Sequence, residues 1–401
     1  MSPSKIQRLF GIYKHKIKDI RFKTGVIEVE LIRTPRRELR CSKCKSDEIS
    51  LYGTKDRVVR DLPVIKRPVY VKFTQNIIKC ARCGIFSERL SFLDKYARHT
   101  GRLEKFIHML CQKMTISDVS RVYGLSWDEV RRIDKKYLNK KYSKPKWKKL
   151  NILGVDEIAL SKGHKYLTIV TNLETGEVIY VGKDRKQESL EEFFIKLGFI
   201  RCKRIEAIAM DNWSPYKSAV DNYLQNAKVV FDKFHLLSAF SRTLDDVRRI
   251  EFKRCSKKDS SVLKGSRYLL LKPQHLLKPV QRLKLINILN MNENLNLAYI
   301  LKDDFKQIWE SKDKKEAEYR INVWLQMADS AGIKPLKTFA NTLLKIKEGI
   351  LNYFDFKITT GKVEGINNKI KVLKRKAYGY RDIDYFSMKI MDLHNISFGY
   401  G

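Results

Sequence analysis

The chain has 401 residues, 43% of them apolar, with 82 Lys and Arg against 45 Asp and Glu, which leaves a formal net charge of +37. That length and apolar share support two or three cored domains and exclude a short basic tail. A positive excess of this size makes a polyphosphate the expected partner, with a ribosomal-type protein or a genome-wide lysine bias as the plainer explanation.

Met1 to Lys16 is interrupted by Lys5, Arg8, Lys14 and Lys16, so it offers no signal-peptide apolar region, and no apolar run approaches the roughly 18 residues a membrane span needs. The expectation is a cytoplasmic, nucleoid-associated protein with no membrane partner. The seven cysteines, at 41, 44, 80, 83, 111, 202 and 255, are odd in number, and four form two Cys-x-x-Cys pairs, which in a reducing compartment favours metal over disulfide.

The first hundred residues read as strands. Val26 to Ile32 alternates apolar and acidic residues, and Val69 to Phe73 and Ile77 to Lys79 suggest further short strands. Cys41-Ser-Lys-Cys44 and Cys80-Ala-Arg-Cys83 supply four thiolates in two knuckles, the ligand set of a closed, structural Zn²⁺ site. The long gap between the pairs would be absorbed by β-hairpins, as in a zinc ribbon; two unrelated pairs of reduced cysteines are the alternative. Cys111, Cys202 and Cys255 read as simple thiols.

Helical periodicity runs from about Leu103 to Leu138. Thr115 with Asp118, and Ser126 with Glu129, are spaced as capping boxes on either side of a Tyr123-Gly124-Leu125-Ser126 turn, the layout of a helix-turn-helix. Ile116, Val119, Val122, Leu125, Val130 and Ile133 would pack the pair, leaving Trp127, Asp128, Arg131 and Arg132 on a recognition helix. Arg131 and Arg132 then become base or phosphate contacts; a plain helical hairpin would show the same periodicity. Asn139 to Lys149, with six lysines in eleven residues, reads as a solvated linker or a frayed helix end.

Beyond the linker the pattern alternates: strands at Ile152 to Val155, Tyr166 to Thr171 and Val178 to Val181, with a Glu174-Thr175-Gly176 turn between the last two. A helix from Glu188 to Leu197, a strand at Ile205 to Met210, a helix near Trp213 to Leu224, a strand at Val229 to Phe231 and a long helix from Phe234 follow. From about Arg254 to Phe354 the strand signals vanish, which suggests an α-helical insertion. Its Trp309 and Trp324 are better suited to the core than to stacking on a base.

Asp156 is expected to end the first core strand and Asp211 another. Two carboxylates at one sheet edge repel unless cations intervene, and Mg²⁺, or Mn²⁺ in its place, prefers such oxygen ligands. Two ions roughly 4 Å apart suit phosphodiester chemistry. The third carboxylate is assigned to Glu364, which would begin a helix whose next turns carry Lys369, Lys371, Lys374, Arg375 and Lys376, a cationic face for DNA phosphates. On spacing alone, each of these acids is more often a surface or capping residue.

Several blocks in order carry a resemblance: Gly154-Val155-Asp156-Glu157-Ile158-Ala159 with Lys162-Gly163-His164-Lys165-Tyr166, Met210-Asp211-Asn212-Trp213 with Tyr216, and Phe231-Asp232-Lys233-Phe234-His235. Glu364-Gly365-Ile366-Asn367, Lys371, Lys374-Arg375 and Ala377-Tyr378-Gly379-Tyr380 complete them. Over nearly its whole length the chain resembles the ISL3 (ISL-three) family of bacterial insertion-sequence transposases. The resemblance implies an RNase H-like DDE core of Asp156, Asp211 and Glu364, interrupted by a helical insertion and preceded by a zinc module and a helix-turn-helix. Thr360 departs from the expected Asn, and Trp213 stands unusually close to Asp211. Asp232 and His235 match an Asp-x-x-His signature; Asp232 is the rival ligand, and His235 an auxiliary or packing residue, as is His164.

The fold expected is therefore multidomain α/β: a zinc-ribbon domain over 1–98, a helix-turn-helix over 99–138, a basic linker over 139–150, core parts over 151–253 and 356–401, and a helical insertion over 254–355. The function expected is binding of terminal inverted repeats in double-stranded DNA by an oligomer, a dimer or higher, followed by Mg²⁺-dependent cleavage and strand transfer. A catalytically dead DNA-binding regulator and a nuclease without strand transfer are the alternatives.

Overall fold

Alternation of buried and exposed residues builds the first sheet of this computed structural model, which describes residues 12, 15–34, 40–144, 147, 149–161, 165–254, 263–358 and 361–394. Lys162, Gly163, His164, Cys255 and Thr360, named above, lie outside that set, as do Lys5, Arg8 and Lys14. The sheet comprises β1 (His15–Lys23), β2 (Val26–Arg33), β3 (Ile49–Val64), β4 (Arg67–Cys80) and β5 (Gly84–Ser87). Its order is β1-β2-β4-β3 with β5 also on β4, and only β2 and β4 run parallel. Val29, Leu31, Val59, Val69, Val71 and Phe73 bury one face against Phe92.

Two features differ from the sequence reading. Val69 to Phe73 and Ile77 to Lys79 belong to one long strand, and its partner β3 carries no clean apolar alternation because Gly53, Asp56, Arg57, Arg60 and Asp61 interrupt it. Asp61 is nonetheless fully buried: Thr100 Oγ1 donates to it at 2.6 Å and Arg102 Nε at 2.7 Å, which offsets the desolvation of its charge.

Three helices follow: α1 (Gly101–Cys111), α2 (Ile116–Tyr123) and α3 (Trp127–Tyr142). Thr115 Oγ1 accepts from the Asp118 amide at 3.1 Å. Ser126 and Glu129 form a reciprocal capping box, with amide bonds of 3.2 and 3.0 Å. Each cap contributes about 1 kcal/mol. Gly124 closes α2 at φ 56°, ψ 42°, a left-handed conformation that disfavours a side chain. Val119, Leu125, Val130 and Ile133 pack the pair as expected, but Val122 is 63% exposed, since it lies on the outer side of α2. Asn139 to Tyr142 complete α3 and are not linker.

The second sheet is built from β6 (Ile152–Ser161), β7 (Lys165–Asn172), β8 (Glu177–Lys183), β9 (Ala207–Met210) and β10 (Lys228–Phe231), in the order β10-β9-β6-β7-β8. The β6-β7-β8 strands are antiparallel; β9 and β10 run parallel to β6. Helices α4 (Gln187–Leu197), α5 (Phe199–Cys202), α6 (Ser214–Tyr223) and α7 (Lys233–Arg254) fill the connections. Residues of alternate parity go to opposite faces. Leu153, Val155, Ile208, Met210 and Phe231 enter the large core, whereas Ile152, Ala207, Ala209 and Val230 join a smaller one with Leu173, Ile358 and Val363.

The helical run continues through α8 (Arg267–Leu271), α9 (Pro279–Asn290), α10 (Glu293–Gln307), α11 (Lys314–Ser330) and α12 (Lys334–Phe356), as the sequence suggested. Phe240, Phe305, Trp324 and Phe339 form one aromatic cluster with centroids 5.0–5.7 Å apart. The Trp324 indole N–H donates to the Leu301 carbonyl at 2.8 Å, and Trp309 is buried too, so neither offers a stacking face to solvent. Among the described residues no helix is long and apolar enough to cross a membrane.

The chain closes with α13 (Gly361–Lys376) and α14 (Ile383–Met391). It divides into two compact units: Met1–Pro145 with Lys374–Asp392, and Lys146–Leu373 with Leu393–Asn395. The sequence boundary had placed 356–401 wholly in the core, but Tyr385 and Met388 of α14 are buried with Leu138 of α3.

Candidate active site and nucleic-acid interface

Strand register lines up three aspartates. Gly154 of β6 is opposite Ala209 of β9, and Phe231 of β10 is opposite Met210. Extending those registers puts Asp156, Asp211 and Asp232 in one rank, at the carboxyl ends of the two parallel strands. All three share parity with Ile152, Ala207, Ala209 and Val230, so they continue the face covered by Val363. Asp156 does not end its strand, as expected from sequence, because β6 continues to Ser161 against β7; what ends beside it is the pairing with β9.

His235, in the first turn of α7, pairs through Nδ1 with Asp211 Oδ1 and lies 3.3 Å from Asp232 Oδ2. Those two hydrogen bonds raise its pKa to about 10. Burial pushes Asp232 up, but the bond to His235 and the Phe234 amide bring it below the usual carboxylate range. Asp156 is raised to about 6, first by burial and then by the neighbouring Asp211 charge, against the pull of the Glu157 amide at 2.7 Å.

Asn367 of α13 donates its side-chain amide to Asp156 Oδ2. Sequence reasoning missed this role, although the signal was present: Asn367 lies three residues after Glu364, one turn along the same helix. Glu364 is exposed in the first turn of α13, next to the buried Val363. Among the described residues, side-chain ligand atoms within 4.8 Å of one another gather in two groups, Asp211 with Asp232 and His235, and the four cysteines. Among the described residues the sequence-chosen trio of Asp156, Asp211 and Glu364 is not such a group; Asp156 bonds to Asn367 and Asp211 to His235. Helical spacing puts Lys371 on the same side of α13 as Glu364 and Asn367, while Lys369 falls on another; both are exposed, as is Arg375, and Lys374 is half-buried.

The four cysteines converge from far apart in sequence. Lys45, at φ 64°, turns the first knuckle, whose Cys44 amide donates to Cys41 Sγ at 3.4 Å. The β3–β4 hairpin spans the gap to Cys80, and the tight turn to Gly84 carries Cys83. Cys44 and Cys80 Sγ atoms are 3.6 Å apart, close to the roughly 3.8 Å edge of a tetrahedron with Zn–S bonds of about 2.3 Å. Burial pushes Cys41 up, but the amides of Cys44 and Lys43 and the neighbouring thiols outweigh it and bring it to about 6. The donor set fits Zn²⁺, which takes thiolates. Cys111 and Cys202 are buried thiols raised by desolvation, as structural cysteines are.

On α3, Trp127 and Arg132 are exposed as expected of a recognition helix. Arg131 is committed elsewhere: its Nη2 is 2.6 Å from Asp382, which also takes Lys135 Nζ at 2.6 Å, and its guanidinium lies 5.7 Å from the Trp127 ring centroid. Asp134, fully buried, bonds to His108 Nδ1 at 2.7 Å, to Tyr385 and to Lys389 at 3.2 Å. Asp392 accepts from Lys141 and Tyr142 at 2.6 and 2.8 Å.

Comparison with known proteins matches these regions. A model described as Transposase fits residues 153–390, and one described as the helix-turn-helix domain of transposase family ISL3 fits residues 88–138. The chain is 34% identical over 354 residues to the transposase for insertion sequence element IS1001 of Bordetella parapertussis, covering 87% of each. It is 24% identical over 371 residues to the transposase for insertion sequence element IS1557 of Mycobacterium tuberculosis, covering 85% of this chain and 82% of that one. The chain belongs to the ISL3 family of transposases.

Proposed function

We propose that this transposase cuts and joins DNA at an RNase H-like DDE site formed by Asp156, Asp211 and Glu364, with Asp232 in reserve as a ligand. The observation that carries the reading is the single rank of Asp156, Asp211 and Asp232 beneath α13, whose Asn367 bonds Asp156 and whose first turn carries Glu364. The sheet order supports the RNase H-like assignment, and the grouping of Asp211, Asp232 and His235 within 4.8 Å favours Asp232 as the alternative third ligand.

Two Mg²⁺ ions, or Mn²⁺, held by these carboxylates would supply activation of the attacking oxygen and stabilisation of the leaving one. The protein's own part is positional. Asn367 fixes the rotation of Asp156; His235 balances the charge of Asp211 and Asp232; Lys369, Lys371, Lys374 and Arg375 neutralise backbone phosphates. Water is the first nucleophile and exposes a 3′-hydroxyl, which is the second nucleophile on target DNA, so no covalent enzyme intermediate is needed. Cys41, Cys44, Cys80 and Cys83 hold a structural Zn²⁺, and Trp127 and Arg132 read the inverted repeats, with two or more chains pairing both element ends.

Asp156→Asn tests the reading. End binding should stay within about twofold while metal-dependent cleavage falls by at least a thousandfold, because binding and chemistry reside in different units. Loss of both together would instead make Asp156 a structural residue. Pre-cut ends with a free 3′-hydroxyl that are never joined would reduce the activity to that of a nuclease.

A further inference from the structure

One surface at the end of β6, on the face opposite the acid rank, gathers an arginine, two aromatic rings and a carboxylate. The Arg185 guanidinium carbon lies 4.2 Å from the ring centroid of Tyr166 and 4.8 Å from that of Trp213, so an aromatic ring attends it from each of two elements. Glu157 Oε1 takes its Nη1 at 3.2 Å, and the Trp213 indole N–H donates to the Arg185 carbonyl at 3.2 Å. Glu157 follows Asp156, and Trp213 stands two residues past Asp211.

The backbone leading to Arg185 is held in an uncommon shape. Asp184 has φ 67°, a left-handed conformation that aspartate adopts when its side chain bonds the local backbone. It is fixed there by its amide to the Tyr166 carbonyl at 3.0 Å, by Thr168 Oγ1 to its carbonyl at 2.7 Å and by the Lys186 amide to its carboxylate at 2.8 Å. With two rings near its central carbon and Glu157 on Nη1, the guanidinium keeps its Nε and Nη2 donors without a protein partner among the described residues. A planar two-donor edge is what two oxygens of one phosphate accept.

We propose that Arg185, resting on Tyr166 and Trp213, is a seat for a backbone phosphate of the DNA strand as it passes over the end of β6 on its way to the acid rank. The inference rests on the strand-cleaving reading above and adds a strand-positioning residue to it. Glu157 sets the rotation of the guanidinium, and the two rings hold it where a lysine would be mobile.

The test uses the full chain with Arg185→Met, whose thioether still packs between aromatic rings. In an Asp211→Asn background, which binds without cutting, affinity for end DNA is measured over a salt series. Losing one phosphate contact should reduce the slope of log K against log salt by about 0.7–0.9. With the acids intact, Arg185→Met should cleave at least 30-fold more slowly. Arg185→Lys should keep the slope yet cleave at least tenfold more slowly, since an ammonium cannot present the planar edge. An unchanged slope in Arg185→Met overturns the seat, as does wild-type cleavage by Arg185→Lys, which also decides the matter if the methionine variant does not fold. If the wild type never cleaves but the slope falls, the phosphate seat stands and the strand-cleaving reading fails. If the wild type cleaves and the slope does not move, the reverse holds.

Discussion

Gly154 and Val363 meet where strand β6 passes under helix α13: a Cβ built on Gly154 would lie 3.1 Å from Val363 Cγ2 and 2.9 Å from Leu173 Cδ2. The missing side chain lets α13 lie close to the strand that carries Asp156, and Glu364 and Asn367 arrive with it. Gly154→Ala should therefore overpack this contact and cost about 1–3 kcal/mol. Differential scanning calorimetry should show the loss in the unit that contains β6, together with weaker Mg²⁺ binding. Unchanged stability with unchanged Mg²⁺ binding would mean that α13 does not need the close approach.

The acid rank sets a pH window. Asp156 has a folded pKa of about 6, above its ordinary value of 3.8. A raised value contributes stability that is present below about pH 4 and lost as pH rises through about 6. Without divalent metal, stability should thus fall between pH 4 and 6, and Asp156→Asn should flatten that part of the profile. Added Mg²⁺ should stabilise more at pH 7 than at pH 5, because it binds the ionised carboxylate. Thermal melts over pH 4–8 with and without Mg²⁺ check both statements.

Cys80 is a buried member of the cysteine cluster and lies where β4 turns into β5. Cys80→Ser, or a strong chelator, should remove one Zn²⁺ per chain and unfold the first sheet, since such sites contribute folding energy directly. End binding should drop by at least a hundredfold, while the Mg²⁺-induced stabilisation of the other unit persists. Metal content by mass spectrometry and gel-shift titration give the two readings.

Asp134 joins α1, α3 and α14 through His108, Tyr385 and Lys389. Asp134→Ala would leave the buried Lys389 ammonium without its counter-charge, at a cost of about 3–5 kcal/mol. Truncation before α14 should be as damaging to end binding, although that segment lies some 250 residues from α3 in sequence. Circular dichroism melts and end-binding titrations of both variants check this.

What the sequence conveyed and what it withheld divide along the range of the interactions. The knuckle cysteines, the Ser126–Glu129 box, the Gly124 turn and the strands around Asp156 and Asp211 are local patterns, and each was legible. The pairing of Asp156 with Asp211 at one sheet edge was legible, whereas Asp232 came only through the resemblance, because its place depends on the register of β9 and β10. The length of β3 was hidden by the buried Asp61, whose partners Thr100 and Arg102 are some 40 residues away. Arg131 reads as a DNA contact until Asp382, 251 residues on, is seen beside it. Val122 fits the helical period yet faces outward, since periodicity fixes spacing but not the edge of the buried stripe.

Direct titration with Mn²⁺, followed by electron paramagnetic resonance on the DNA-free full chain, tests the central claim that the aspartate rank and α13 together hold divalent cations. Wild type should bind Mn²⁺ in exchange with Mg²⁺, Asp211→Asn should weaken it at least tenfold, and Glu364→Gln should weaken it more than Asp232→Asn does. Mn²⁺ binding by Asp211→Asn as tight as by wild type would contradict the claim.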